Sequence, residues 1–276
     1  MCGLFGAISP MGRKVNPGII RALALINRER GTDSLGFFAP NSDIKFAGDP
    51  LDVLPDCQEF IGQACRSWFV AGHTRSATRG TAIDRNAHPF RYGNIIGAHN
   101  GIVQAPISYD VDSQYLFDML NVAEGDYQLA FEQIPGWWGL SWFDGNCFYL
   151  QAHNQEIAIG RAPGGIYYYS SDWQHLEACT GKLSDFWVLE HGATLEFKPG
   201  RKRYDRLPQF VSKVPPPAKI TRVYSFKGQE VGEEVSSLSH CESILDAYDP
   251  YEWDKEEERD RWGEYDAWEK YGKEFN

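Results

Sequence analysis

A cysteine occupies the second position, in Met1-Cys2-Gly3. Initiator methionine is normally trimmed ahead of a small residue, and a mature chain starting at Cys2 would carry a thiol and a free α-amine on one residue. An amine with a reference pKa near ~8 can take the thiol proton at neutral pH and later hand it to a leaving group. Further polar runs follow in order: Arg30-Gly31-Thr32-Asp33-Ser34-Leu35-Gly36, then Gly72-His73-Thr74-Arg75-Ser76-Ala77-Thr78. After them come Asn86-Ala87-His88-Pro89-Phe90 and Gly97-Ala98-His99-Asn100-Gly101-Ile102-Val103. His73, His88 and His99 lie fifteen and eleven residues apart, which matches no compact zinc spacing. They read as strand-end histidines bonded to backbone groups. No Walker-type glycine loop and no dinucleotide fingerprint occurs, so no cofactor is implied. Cys57, Cys65, Cys147, Cys179 and Cys241 form no C-x-x-C pair and read as small hydrophobes.

Together with Met-Cys-Gly-x-Phe-Gly at the start, these motifs resemble the class II glutamine amidotransferase domain of the N-terminal-nucleophile hydrolases. Its glucosamine-6-phosphate synthase and amidophosphoribosyltransferase branches share this order and roughly these spacings. The likeness runs on through 155–163, 166–178 and 189–193, where Arg161 and Ser171-Asp172 match, and it covers about residues 2–197. It implies an α+β fold, a four-layer αββα sandwich with two stacked, mostly antiparallel sheets. It also implies hydrolysis of a glutamine side-chain amide to glutamate and ammonia. Cys2 would attack the amide carbon, giving a thioester, with its own α-amine as base and then acid. The Asn100 side-chain amide and the Gly101 N–H would hold the oxyanion. Arg75 is the expected clamp for the substrate α-carboxylate, because a guanidinium fork matches a carboxylate; the alternative is a structural salt bridge. Asp112 stands where the family places an acid for the substrate ammonium, a contact the Gly101 main chain would share; its alternative is a helix N-cap. Arg30 resembles a family residue near the nucleophile and could equally be a structural ion pair, and His88 is placed among the substrate contacts.

The sequence departs from these relatives at Ser76, where the glucosamine-6-phosphate synthase branch has a bulky aromatic lining an ammonia path, and at Arg79, where that branch has His. The residues beyond Phe197 are too few and too polar for the family's acceptor domains. The expectation is therefore a stand-alone glutaminase passing ammonia to an acceptor on a separate protein. One alternative is an amidohydrolase cutting γ-glutamyl peptides with water as sole acceptor. Another is a non-catalytic scaffold, against which retention of Cys2, Arg75, Asn100, Gly101 and Asp112 argues.

The elements that must position these residues are mostly strands. Runs rich in β-branched and aromatic residues occur at 4–9, 34–40, 68–74, 94–103, 139–151, 156–161, 165–170 and 193–197. Asn16-Pro17 starts a helix whose Ile19, Ile20, Leu23 and Ile26 share a face until Gly31. A second helix begins near Asp112-Ser113 and buries Leu116, Met119 and Leu120, with shorter ones at 126–134 and 172–178. The chain of 276 residues is 42% hydrophobic and carries a net charge of −11. That is compatible with one large core and argues against a nucleic-acid partner. No apolar run reaches the ~20 residues of a membrane span, and the start lacks the basic region of a secretory signal, so a cytoplasmic location is expected. Prolines 199, 208, 215, 216 and 217 interrupt a basic stretch at 198–223, which reads as a linker with some potential to touch phosphates. Residues 224–276 form an acidic tail in which Trp262, Tyr265, Trp268 and Tyr271 approach helical spacing and could dock on a partner.

Overall fold

A computed structural model describes residues 2–181, 183–209, 219–224 and 230–236. The aromatic-rich part of the acidic tail lies outside them. β1 (Gly3–Ile8) leads to α1 (Pro17–Ile26), where the Asn16 side chain accepts the Gly18 N–H at 2.8 Å and Pro17 opens the first turn. β2 (Ser34–Ala39) and β3 (Ser42–Ala47) form a hairpin, followed by the short helices α2 (Pro50–Val53) and α3 (Gln58–Ala64). β4 (Phe69–Arg75) is buried along its whole length. Next come β5 (Phe90–Tyr92), β6 (Ile95–Val103), α4 (Asp112–Val122), α5 (Tyr127–Gln133), β7 (Gly136–Phe143) and β8 (Phe148–His153). After these follow β9 (Ala158–Arg161), β10 (Tyr167–Ser170), α6 (Trp173–Thr180), β11 (Asp185–Val188), β12 (Thr194–Phe197) and β13 (Asp205–Arg206). β14 (Lys219–Tyr224) and β15 (Glu230–Ser236) pair with each other as a two-stranded antiparallel sheet.

The strands make a seven-stranded sheet in the order β11-β9-β10-β1-β4-β2-β3 and a six-stranded sheet in the order β13-β12-β8-β7-β6-β5. Every strand pair in them is antiparallel. The two-residue period of β1 sorts its side chains by layer. Leu4 and Ile8 point between the sheets and join Phe38, Phe69, Phe148, Tyr169 and Phe197. Phe5 and Ala7 point the other way, into a layer with Ile20 and Leu23 of α1, Ile61 of α3 and Leu176 of α6. On the far side, Trp138, Leu140 and Trp142 of β7 pack under Leu116, Phe117 and Leu120 of α4 and Phe131 of α5. Helices, sheet, sheet, helices: this is the αββα sandwich. The inter-sheet layer is aromatic, with the Phe69 ring 4.5 Å from Phe148 and 5.1 Å from Phe143.

Some sequence readings change. The apolar run at 139–151 is a hairpin of β7 and β8, because Asp144 accepts the Asn146 and Cys147 N–H groups at 2.8 and 2.7 Å and turns the chain at Asp144-Gly145. β3, β5, β11, α2 and α3 were not read from the pattern at all. The basic stretch begins on the sandwich rather than away from it. Tyr204 packs against Trp187 and Phe197, Asp205 pairs with Glu196, and the Leu207 N–H donates to the Thr194 carbonyl at 3.0 Å.

The start of β1 is packed without slack. A Cβ on Gly3 would sit 2.5 Å from Thr74 Oγ1 and 2.6 Å from Asn27 Oδ1, and Thr74 Oγ1 itself donates to the Asn27 carbonyl at 2.7 Å. Gly3→Ala is therefore expected to lower stability by about 1–3 kcal/mol, as overpacking does. Urea unfolding read by tryptophan fluorescence checks this.

Candidate active site

β1 and β4 are neighbours in the first sheet with Gly3 opposite Thr74, so the register delivers Cys2 beside Arg75 and Ser76. The Ser76 N–H donates to Cys2 Sγ at 3.4 Å, and the thiol lies 3.6 Å from the Ser76 carbonyl. On the other side Arg30 Nε donates to the Cys2 carbonyl at 2.9 Å while its Nη1 meets Asp172 Oδ2 at 3.2 Å. Asp172 in turn caps α6, accepting the Gln174 N–H at 2.9 Å. Both readings of Arg30 are thus realised in one side chain: it is an ion pair that also grips the main chain of Cys2. Burial pushes the Cys2 thiol up from its ordinary value, and Asp112 adds to this; the Ser76 N–H, the positive chain terminus and Arg75 pull it down. Burial thus disfavours the thiolate at this position.

Arg75 is 3% exposed. Its Nη1 donates to the Thr81 carbonyl at 3.2 Å and its Nη2 to the Arg79 carbonyl. Among the described residues no carboxylate lies within 4.0 Å of its guanidinium. The structural salt bridge considered for this residue is therefore not formed. Burial lowers its pKa, opposed by Cys2, Asp33 and Asp112, which places all three within electrostatic reach. Asp33 is occupied elsewhere, accepting the Ala77 N–H at 2.7 Å.

Asp112 is 7% exposed and is the first residue of α4, so the N-cap position belongs to Val111 and not to Asp112. Its Oδ2 accepts the Val103 N–H at 3.1 Å and its Oδ1 the Ser113 N–H at 3.0 Å, which leaves lone pairs on both oxygens. Asn100 lies in β6, fully within the interior, and its Nδ2 donor has no partner among the described residues. Gly101 follows at φ +146°, where a Cβ would stand 2.1 Å from the Trp137 carbonyl oxygen, so only glycine fits.

The histidines hold the frame. His73 Nε2 lies 3.0 Å from the His99 carbonyl and must donate to it, and His99 Nδ1 meets Ser113 Oγ at 3.0 Å. Burial pushes His73 down to about 3 and His88 well below its usual value. His88 stacks on His73 with ring centroids 3.9 Å apart, and neither of its nitrogens has a partner among the described residues. Cys2, Arg75 and Asp112 lie within electrostatic reach of one another, and His88 packs against His73. Arg79 has a part that the sequence did not disclose. Its guanidinium donates to the Ala105, Pro106 and Tyr109 carbonyls at 2.9, 2.9 and 2.7 Å, tying the loop after β4 to the loop after β6. Among the described residues no cluster of three or more His, Cys, Asp or Glu side chains is arranged to hold a metal ion, and no helix is long and apolar enough to cross a membrane.

The site thus sets a cysteine at the start of a central strand of an αββα sandwich, with a buried guanidinium that meets carbonyls but no carboxylate beside it. No family model matches the chain. It is 36% identical over 109 residues to the glutamine–fructose-6-phosphate aminotransferase (isomerizing) of Vibrio cholerae, and 35% over 121 residues to that of Xylella fastidiosa. These matches take in 38% and 42% of this chain but only 17% and 18% of the relatives' own length. The fold is shared with the glutamine phosphoribosylpyrophosphate amidotransferase of B. subtilis, at a TM-score of 0.59 and 16% identity, over 78% of this chain and 50% of that one. These matches and the shared fold support a class II, N-terminal-nucleophile glutamine amidotransferase type of domain in this chain.

The buried neutral histidines make stability depend on acid. A histidine whose folded pKa is far below its unfolded ~6.5 binds its proton only on unfolding, so the unfolded state gains as pH falls from 6.5 toward the folded value. For His73 that window runs from about 6.5 to about 3. Unfolding free energy is expected to fall by up to about 1.4 kcal/mol per pH unit for each such histidine. Urea titrations at pH 7, 6 and 5 test this, and His73→Gln is expected to flatten the slope.

Proposed function

We propose that this domain hydrolyses the side-chain amide of L-glutamine to glutamate and ammonia, with Cys2 as nucleophile. The observation that carries the reading is Arg75: a buried guanidinium next to the Cys2 thiol that lacks a carboxylate of its own. The Thr81 and Arg79 carbonyls satisfy two of its N–H groups but not its charge, which an anion in the site would balance. The α-carboxylate of an amino acid is the matching anion, and Asp112 offers lone pairs to the α-ammonium from the opposite wall. The side-chain amide then projects toward Cys2.

In this reading Met1 is removed and the freed α-amine of Cys2 accepts the thiol proton as Sγ attacks the amide carbon. The carbonyl π pair moves to oxygen, and the unpaired Asn100 Nδ2 and the Gly101 N–H receive the oxyanion. Collapse breaks the C–N bond, the ammonium returns its proton to the departing nitrogen, and ammonia leaves a γ-glutamyl thioester on Cys2. Water, deprotonated by the same amine, attacks the thioester and releases glutamate and the thiol. Arg30 holds the Cys2 carbonyl through both steps. The ammonia is consumed by an acceptor held on a separate protein. The bonds that Arg79 makes across the mouth, with Ser76 small beside the thiol, are the features of this chain that bear on its exit.

The test is release of glutamate and ammonia from glutamine by the mature chain. Cys2→Ala is expected to abolish it, and Asn100→Ala to lower kcat by about 10²–10³. Arg75→Lys is expected to raise KM far more than it lowers kcat, since a lysine loses the fork. Intact mass after 6-diazo-5-oxo-L-norleucine treatment should show loss of methionine and one adduct on Cys2. A chain that is unlabelled and inactive after removal of Met1 would overturn the reading. A γ-glutamyl dipeptide cleaved faster than free glutamine would replace it with a peptide-directed amidohydrolase.

A further inference from the structure

A cluster of cations lies at the opposite end of the first sheet. Ile8, the last residue of β1, pairs with Tyr167, and Tyr167 pairs with Arg161. This end is therefore one strand length, ~20 Å, from Cys2. It holds a cavity of about 530 Å³ lined by Met11, Arg13, Arg161, the turn at Pro163–Gly165 and Lys202. Arg161 lies over the Tyr167 ring, 5.7 Å from its centroid, and the Lys202 carbonyl accepts from the Tyr167 hydroxyl at 3.4 Å. Gly164 and Gly165 both have positive φ, and without side chains they leave the turn open between two guanidinium groups. The position a Cβ would take on Gly164 is 3.3 Å from Arg13 Nη1, and that on Gly165 is 3.6 Å from Arg161 Nη2.

The charges here are not balanced by protein. The basic stretch read as a linker supplies Lys202, while three of its other members pair with local acids. Lys198 pairs with Glu196, Arg201 with Asp205 at 2.6 Å, and Arg206 with Glu190. Among the described residues neither Arg13 nor Lys202 has a carboxylate within 4.0 Å, and Arg161 reaches only Asp185, at 3.9 Å. In a chain with a net charge of −11, carboxylates are not scarce, yet the three cations around this cavity share one distant carboxylate, which leaves a local excess of positive charge suited to an anion. Guanidinium groups suit a phosphate geometrically. The walls add apolar surface from Met11, Ala162 and Pro163. The concavity fits a compact molecule, and the chain's overall negative charge opposes a long polyanion.

We propose that this cavity binds a small phosphorylated molecule, with Arg13, Arg161 and Lys202 taking the phosphate and Met11 and Pro163 the organic part. It stands independently of the chemistry at Cys2. The test uses inorganic pyrophosphate, titrated calorimetrically into the full chain at constant ionic strength, with chloride and acetate as references. Saturable binding of pyrophosphate at one site per chain, absent with acetate, is expected. Arg13→Glu and Lys202→Glu, both at exposed positions, are each expected to weaken it at least tenfold while the far-ultraviolet circular dichroism stays unchanged. Binding no stronger than acetate, or binding unaltered in both variants, would overturn the proposal. So would a steeply salt-dependent affinity for an oligonucleotide with none for pyrophosphate, which would make the cluster a polyanion surface.

Discussion

One hydrogen bond joins the two halves of the site: His73 Nε2–H to the carbonyl of His99. His73 belongs to β4 of the seven-stranded sheet and His99 to β6 of the six-stranded one. Two residues beyond His73 is Arg75, and one beyond His99 is Asn100. The bond therefore fixes the distance between the cationic group on one sheet and the orphan amide donor on the other. Only a neutral imidazole carrying its proton on Nε2 makes this bond without bringing a charge into the interior, and burial keeps it neutral. The second contact of His99, to Ser113 on α4, extends the same line to the helix that begins with Asp112.

Around that line the protein leaves some buried polar groups without a partner among the described residues. Buried donors without partners are uncommon because each forfeits about 1–3 kcal/mol of solvation. Asn100 Nδ2 is one, and the Arg75 guanidinium is bonded to carbonyls but to no carboxylate. These unmet demands are affordable because the backbone beneath them cannot relax. A Cβ on Gly31 would fall 2.3 Å from the Arg75 carbonyl carbon, and Gly101 is held at φ +146° against the Trp137 carbonyl. Close backbone contact at these glycines converts packing into electrostatic preorganisation.

Much of this was readable in the amino-acid order, and the reason differs by residue. Cys2, Arg75, Asn100 and Gly101 lie in the runs that carry the family resemblance, and β1, β4 and β6 carry strong strand patterns. For Asp112 the alternative of a helix N-cap could not be set aside from the sequence, since a carboxylate at the head of a helix looks the same whether it is the cap or the first helical residue. The β7–β8 hairpin was hidden because Phe143 and Phe148 continue the apolar run on either side of a short turn. β3 and β11 are edge strands with mixed exposure, so no alternation marks them. Arg79 showed only as an unexpected residue type; its three acceptors are main-chain carbonyls some thirty residues on, and no side-chain pattern encodes a carbonyl.

The Arg79 staple also has a mechanical meaning. The loop it reaches is thinly supported, with Ile107 at its crest 98% exposed. Left to itself such a loop would flutter independently of the turn after β4. Three bonds from one planar cation, each worth about 1 kcal/mol, make the two segments a single stiff flap. Any displacement of one segment is then transmitted to the other, so the turn after β4 and the loop after β6 move as one body instead of two.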